Sequence, residues 1–331
     1  MNTDRLINTY IDTLSIRCVC DGRYQRDNLF NTLIVFLKER NIVGIIYNKE
    51  RSTKYYQITE LLFGNTKLAT IAKGYYTNDY NIDYYYINIS FYGLKRYNNK
   101  KDEASLLLVR TITAFLNTYN IDFRLTELDI AMDMKSKIDN LLVVCTSRSP
   151  NVKYYQLGDI DDDGKNIQAN KGTYYIENFK SFKQKKNAMS RAYLYDKRLK
   201  ERSKYNRDIG FDLTRFEVKL QKRYFVKNKF GVIPIYKSLN KYTVLHFMDI
   251  KQKELLIQQL NNAKTSRTRR NMIEAALSSD KAILLTRKMN NIGSFLREID
   301  TIKFDTKENF IYTKHEHYLE CMSKLNRNHQ T

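Results

Sequence analysis

Residues 190–219 read SRAYLYDKRLKERSKYNRDIGFDLTRFEVK and hold the densest set of reactive side chains in the chain. Two strand-like runs, 191–195 and 212–220, flank a polar, basic connection. A period of two puts Arg191, Tyr193 and Tyr195 on one face of the first run. It puts Arg215, Glu217 and Lys219 on one face of the second and Phe216, Val218 and Leu220 on the other. An ordinary half-buried strand pair alternates in the same way. What sets this pair apart is its polar faces: phenols beside cations on one strand, a carboxylate between cations on the other. A phenol of ordinary pKa near 10 is a weak nucleophile at neutral pH, and neighbouring cations favour its phenolate.

A second stretch, 124–134, reads RLTELDIAMDM. Leu128, Ile130 and Met132 form its apolar face, while Glu127, Asp129, Ala131 and Asp133 form the other. Aspartate is disfavoured in strands, so two on one face need a reason. One is a solvated surface; the other is a site for a hard divalent cation, which takes carboxylate oxygens, typically one or two of them from protein. The residues alone leave both open.

Other reactive-looking groups read as structural. Cys18, Cys20, Cys145 and Cys321 have neither zinc nor disulfide-framework spacing, and Cys18 and Cys20 share one strand face as small hydrophobes. The acidic run at 159–165 lacks the closing glutamate of a calcium loop and reads as a surface turn. His315-Glu316-His317 lies in a charged setting near the end of the chain and reads as surface. Glu201 is explained by an i,i+4 pair with a lysine.

The elements that must position these residues follow from periodicity. A strand over 11–20 precedes a helix with Asp27 as its N-cap and Leu29, Leu33, Phe36 and Leu37 at helical spacing. Strands follow at 53–61, 66–76 and 84–92, then an amphipathic helix over 102–119, then the 124–134 strand. This is an α+β opening. After Gly231 and Pro234 the pattern turns helical, with helices near 255–260, 270–277 and 291–299, and the domain boundary is expected near Pro234.

The chain of 331 residues is long enough for a full core, and 42% hydrophobic with 13% aromatic content excludes disorder. Its formal net charge of +21 implies attraction to a polyanion, with nucleic acid the first partner and an anionic membrane surface the second. The wealth of Lys, Asn, Ile and Tyr also fits an AT-rich coding sequence, so the placement of charge says more than its total. Basic residues concentrate at 180–186, 197–207, 219–229 and 264–270, interleaved with Tyr and Phe, a pattern suited to phosphate contact and base stacking. The longest apolar runs fall far short of the roughly 20 residues that span a bilayer, and the first ten residues lack a signal peptide's apolar core. A cytoplasmic protein is expected.

Taken in order, four segments resemble the replication initiators of rolling-circle plasmids and filamentous phages, the replication initiation factor or Rep_trans family. They are 126–133 (TELDIAMD), 175–181 (YIENFKS), 192–202 (AYLYDKRLKER) and 215–220 (RFEVKL), and the resemblance covers roughly 121–222. It implies that Tyr195, in the Y-D-K triplet, is a nucleophile forming a 5′-phosphotyrosine, with Arg191, Lys197 and Arg215 as supporting cations. It implies that Asp129, Asp133 and Glu217 hold Mg²⁺ or Mn²⁺. It also implies an origin-reading segment in the C-terminal part, matched here by Thr265, Ser266, Arg267, Thr268, Arg269 and Arg270. Members of that family act as homodimers on a DNA origin together with a host helicase and polymerase. The sequence departs from the pattern at Glu127, where arginine is usual, at Glu177, where glycine is usual, and in an insertion at 182–189. The insertion bears on the register before Tyr195 and keeps Tyr193 as the alternative nucleophile.

The expected architecture is α+β. A nicking domain over 1–230, built on a curved antiparallel sheet with packed helices, precedes a helical origin-recognition region over 231–331. The expected function is rolling-circle initiation. The alternatives are a relaxase or mobilisation protein with the same tyrosine chemistry and a DNA-binding protein without catalysis.

Overall fold

In the computed structural model the described residues are 6–40, 44–48, 55–78, 80–94, 99–145, 159–160, 166–167, 173–176, 188–227, 239, 242–279 and 282–283. The expected helix at 291–299, the boundary near Pro234 and the histidines at 315 and 317 lie outside them. The chain is mixed α/β and divides into two compact units. One comprises Met1–Tyr10 and Asp129–Gly293, the other Ile11–Leu128 and Ser294–Thr331.

In the second unit the strand order runs β6, β1, β5, β4, β3, β2. These are β1 (Leu6–Cys20), β2 (Gly44–Asn48), β3 (Tyr55–Phe63), β4 (Thr66–Thr77), β5 (Asp83–Tyr92) and β6 (Phe123–Met134). β1 and β6 also contribute to the first unit. Helices α1 (Arg23–Glu39) and α2 (Asn99–Thr118) cover one face. On that face Leu14, Ile16 and Cys18 of β1 and Ile87, Ile89 and Phe91 of β5 are all fully buried. The helices meet through Phe36 and Phe115, whose ring centroids are 4.8 Å apart. The other face is polar, with Ser15 bonded to Ser90 at 2.8 Å and Arg17 stacked on Tyr86 at 4.1 Å. Alternation of buried apolar and polar residues along β1 and β5 therefore fixes both register and face.

The N-cap of α1 is Gly22 and not Asp27. Asp27 lies within the helix, where it pairs with the buried Arg26 at 3.1 Å and with Lys73 at 3.4 Å. A buried cation beside a carboxylate outweighs the cap preference that the sequence suggested.

Two runs of paired strands in the first unit matter here. One has the order β10, β11, β12, β6, with β10 (Thr173–Tyr175), β11 (Ser190–Asp196) and β12 (Thr214–Gln221). The other has the order β14, β13, β7, with β7 (Leu141–Cys145), β13 (Tyr242–His246) and β14 (Ala282–Ile283). Between β11 and β12 lies α3 (Lys197–Tyr205), and after β12 comes α4 (Lys222–Lys227). Helices α5 (Ile250–Asn262) and α6 (Ser266–Leu277) pack on the smaller sheet. β8 (Asp159–Ile160) and β9 (Asn166–Ile167) pair antiparallel. Among the described residues after 231 there are thus two strands as well as the helices expected near 255–260 and 270–277.

Candidate active site on the β11–β12 strand pair

β11 and β12 are antiparallel, with Arg191 opposite Lys219, Tyr193 opposite Glu217 and Tyr195 opposite Arg215. All six side chains fall on one face, as the period of two required. The Tyr195 hydroxyl donates diagonally to Glu217 Oε2 at 3.1 Å. The Lys200 ammonium, on α3, lies 4.4 Å from the centroid of the Tyr195 ring. Phenol, carboxylate and two cations are therefore collected by two strands and one helix. α3 is held in place by Asp196, whose side chain accepts from Leu199 N at 2.8 Å as an N-cap.

β6 supplies the adjoining row of carboxylates. Arg215 donates to both oxygens of Asp133, from Nε at 2.6 Å and from NH2 at 3.0 Å. Tyr10 donates to Asp133 Oδ2 at 2.7 Å, and Arg215 NH2 also contacts the Tyr10 hydroxyl. Both members of the ion pair are buried, Arg215 at 1% and Asp133 at 2% exposure. Burial alone would favour a neutral guanidinium, but Tyr10, Asp133 and Tyr195 hold Arg215 above its ordinary value and so fully charged. Further along, Lys219 donates to Asp129 at 3.4 Å. The two acidic residues of β6 are thus matched, in opposite residue order, to two cations of β12.

This arrangement bears on the metal expectation. Asp129 and Asp133 are four residues apart on one strand, roughly 13 Å at the rise of an extended chain, whereas one Mg²⁺ or Mn²⁺ needs its ligand oxygens about 3 Å from each other. Among the described residues no three His, Cys, Asp or Glu side chains are grouped to hold an ion. Asp133 moreover gives both oxygens to Arg215. The set Asp129, Asp133 and Glu217, as it stands here, does not fit a single cation, and the chemistry below runs through side chains alone.

Of the expected cations, Arg215 is beside Tyr195 and Arg191 is four residues further along the same face. Lys197 is buried and pairs with Glu201 at 2.6 Å, the i,i+4 pair expected for that glutamate. Much of the basic run at 197–207 is internally matched. Arg207 also reaches Glu201 at 3.1 Å, while Arg198 and Arg202 share Asp208. Those two arginines and the Gly210 amide hold the Asp208 carboxyl well below the usual range. Lys200 emerges instead as the cation on the Tyr195 ring. Sequence reasoning missed it because the connection has no apolar stripe to betray a helix; the Asp196 cap was the available signal.

Tyr195 is 6% exposed and Tyr193 half-buried. The edge strand β10 places Thr173 opposite Tyr195 and Tyr175 opposite Tyr193. The proposed DNA-reading segment, 265–270, lies elsewhere in the same unit. Thr265 is the N-cap of α6, and Ser266 to Arg270 form its first turn and a half.

The fold and site therefore define a mixed α/β chain with a tyrosine, carboxylate and cation cluster on an antiparallel strand pair. Comparison with solved structures finds, among its matches, a rolling-circle replication initiator protein from Geobacillus stearothermophilus. It is 14% identical, the match spans 81% of this chain and 96% of that one, and the TM-score is 0.37. No family model and no curated protein matches the chain. Among the described residues no helix is long and apolar enough to cross a membrane.

Proposed function

We propose that this chain is a DNA nicking and joining protein of the rolling-circle initiation type, with Tyr195 as its nucleophile. The observation that carries the reading is the Tyr195 hydroxyl donated to Glu217 at 3.1 Å, with Arg215 directly opposite and Lys200 on the ring. Glu217 is within the reach required of a general base. In the reaction the phenol oxygen attacks a DNA phosphorus while its proton passes to Glu217. The bond to the 3′ oxygen breaks, that oxygen takes a proton from water, and a 5′-phosphotyrosine and a free 3′-hydroxyl result. One phosphodiester is exchanged for another, so a later strand transfer rejoins the ends without ATP. Arg215 and Lys200 stabilise charge on the phenol oxygen and the phosphorane. Arg191 and Lys219 lie opposite each other further along the same face, where a second backbone phosphate would meet them.

No proton step depends on Mg²⁺ or Mn²⁺, which Asp129, Asp133 and Glu217 as arranged here would not hold together. The replication origin, a second copy of the chain, and a host helicase and polymerase are the partners the reading requires. A second reading, DNA binding without cleavage, is favoured by the 6% exposure of Tyr195.

The test is a denaturing gel of the full chain with single-stranded, origin-like DNA and Mg²⁺ or Mn²⁺, with a chelator control. A covalent protein–DNA band is expected for wild type and lost in Tyr195→Phe. Glu217→Gln is expected to slow adduct formation by about 10²- to 10⁴-fold, with the rate recovering as pH rises towards the phenol's own pKa. A band that survives Tyr195→Phe but disappears in Tyr193→Phe would move the nucleophile by two residues. Duplex binding with no band for any sequence would favour the second reading.

A further inference from the structure

We infer that the polar face of β1, β4 and β5, opposite α1 and α2, holds a single strand of DNA, with bases stacked on Tyr76 and Tyr84 and a backbone phosphate on Arg17. This surface shares no residue with the Tyr195 cluster. Its geometry asks only for bases and phosphates, and the choice of DNA rests on the reading above.

Antiparallel register builds the face. Arg17 stands opposite Asn88, Ser15 opposite Ser90 and Tyr76 opposite Tyr84. Over Thr13 to Val19, Thr70 to Tyr76 and Tyr84 to Tyr92, Arg17 is the one charged residue on this face. Asp83, the carboxylate at the hairpin tip, falls on the other face by alternation. There it accepts from Thr77 at 2.6 Å and from Tyr85 at 3.2 Å.

Arg17 is therefore a cation with no carboxylate beside it. Among the described residues it makes one hydrogen bond, from NH2 to Asn88 Oδ1 at a weak 3.4 Å, and its Nε is buried with no partner. Its guanidinium is held instead over the Tyr86 ring, 4.1 Å from the centroid. Tyr86 in turn lies across Gly74, where a Cβ would come within 2.5 Å of the ring. A glycine bed, a buried ring and a stacked guanidinium thus fix Arg17 while leaving most of its five donors unused. The neighbouring hydroxyls add another donor. Asn88 Nδ2 donates to Ser90 Oγ at 3.1 Å and Ser15 Oγ donates to the same oxygen at 2.8 Å, so the proton of Ser90 is left for a third partner. A phosphate oxygen suits both groups.

Towards the tip the face turns aromatic. Tyr76 and Tyr84 stack at 4.8 Å with 9° between their planes, and Tyr76 is 44% exposed. Tyr86 follows at 6.3 Å from Tyr76, tilted by 53°. From Tyr84 to Asn88, which is opposite Arg17, the strand advances about 13 Å. Rings and guanidinium are thus spread along one line, as an extended strand spreads its bases and phosphates. Aromatic rings that accept any base, joined to a cation that tracks the backbone, are the means by which single strands are held. A duplex keeps its base faces in the stack and has none to offer Tyr76.

The experiment uses the full chain and a dT oligonucleotide without origin sequence, with 5-iodouracil at some positions for photocrosslinking. Crosslinks are expected on Tyr76 or Tyr84. In fluorescence anisotropy Tyr76→Ala is expected to weaken binding by about 5- to 150-fold with an unchanged salt slope, and Tyr76→Phe to bind like wild type. Arg17→Met is expected to lower the slope by about 0.7 and to keep the thermal midpoint, because the buried Nε gives up no bond. Crosslinks confined to other residues, or wild-type affinity in both Tyr76→Ala and Arg17→Met, would overturn the inference and leave this face to a protein partner. A lowered midpoint in Arg17→Met with an unchanged slope would make Arg17 structural and remove the phosphate contact. Tighter binding of an rU oligonucleotide, lost in the same variants, would rule out DNA as the occupant. Adduct formation on origin-like strands is measured separately. Crosslinking at Tyr76 without an adduct removes the nicking reading alone, and an adduct without that crosslink removes this inference alone.

Discussion

Arg215 has a double duty that its neighbours define. It neutralises Asp133 from within the protein and stands opposite Tyr195, so one guanidinium links a buried carboxylate to the proposed nucleophile. Removing one partner of a buried pair leaves an uncompensated charge, at a cost of about 3–5 kcal/mol. Arg215→Met is therefore expected to lower unfolding free energy by that order in denaturant titration. The double variant Arg215→Met with Asp133→Leu is expected to recover most of the loss. If Arg215→Met alone unfolds like wild type, the pair is not buried as described. Tyr195→Phe removes the hydrogen bond to Glu217 and is expected to cost about 1 kcal/mol, so loss of the adduct in that variant reports chemistry and not unfolding. Alternation made the Tyr195 and Glu217 faces legible in the sequence. That Asp133 is met by Arg215 was not legible, because it depends on which strand lies beside β6, and a single strand's spacing carries no information about its neighbour.

The same contrast holds among the elements. The long strands and the two helices of the second unit were visible because their apolar spacing runs for many residues; their ends moved by a few positions. α3 was hidden by its lack of an apolar face, and Leu199 on it is 41% exposed. β13 was hidden for the opposite reason: a short run buried at every position, as Tyr242–His246 is, has no periodicity to separate strand from helix. Tight packing within an element is also where a small change has a large effect. A Cβ on Gly74 of β4 would lie 2.5 Å from the ring of Tyr86 on β5, and Tyr86 is itself 3% exposed beneath Arg17. The ring has nowhere to go without disturbing that stack. Gly74→Ala is expected to destabilise the chain by about 1–3 kcal/mol. Thermal unfolding checks it, and an unchanged midpoint would show that Tyr86 moves aside freely.

At the scale of the whole molecule the charge of +21 predicts how binding responds to salt. Each phosphate neutralised by the protein releases condensed counterions, so the slope of log K against log salt counts contacts and not total charge. Several cations of this chain are already matched internally: Lys197 and Arg207 by Glu201, Arg198 and Arg202 by Asp208, Arg215 by Asp133. The slope must then be much smaller than the net charge would give. A footprint of about six to ten phosphates corresponds to a 10³- to 10⁵-fold loss of duplex affinity between 50 and 200 mM salt. Fluorescence anisotropy on a non-specific duplex measures it. Lys264→Ala, which removes one exposed cation beside α6, is expected to reduce the slope by about one and to weaken all sequences alike. A slope near zero would mean that the cations of the chain serve its own carboxylates and that DNA is not the polyanion it meets.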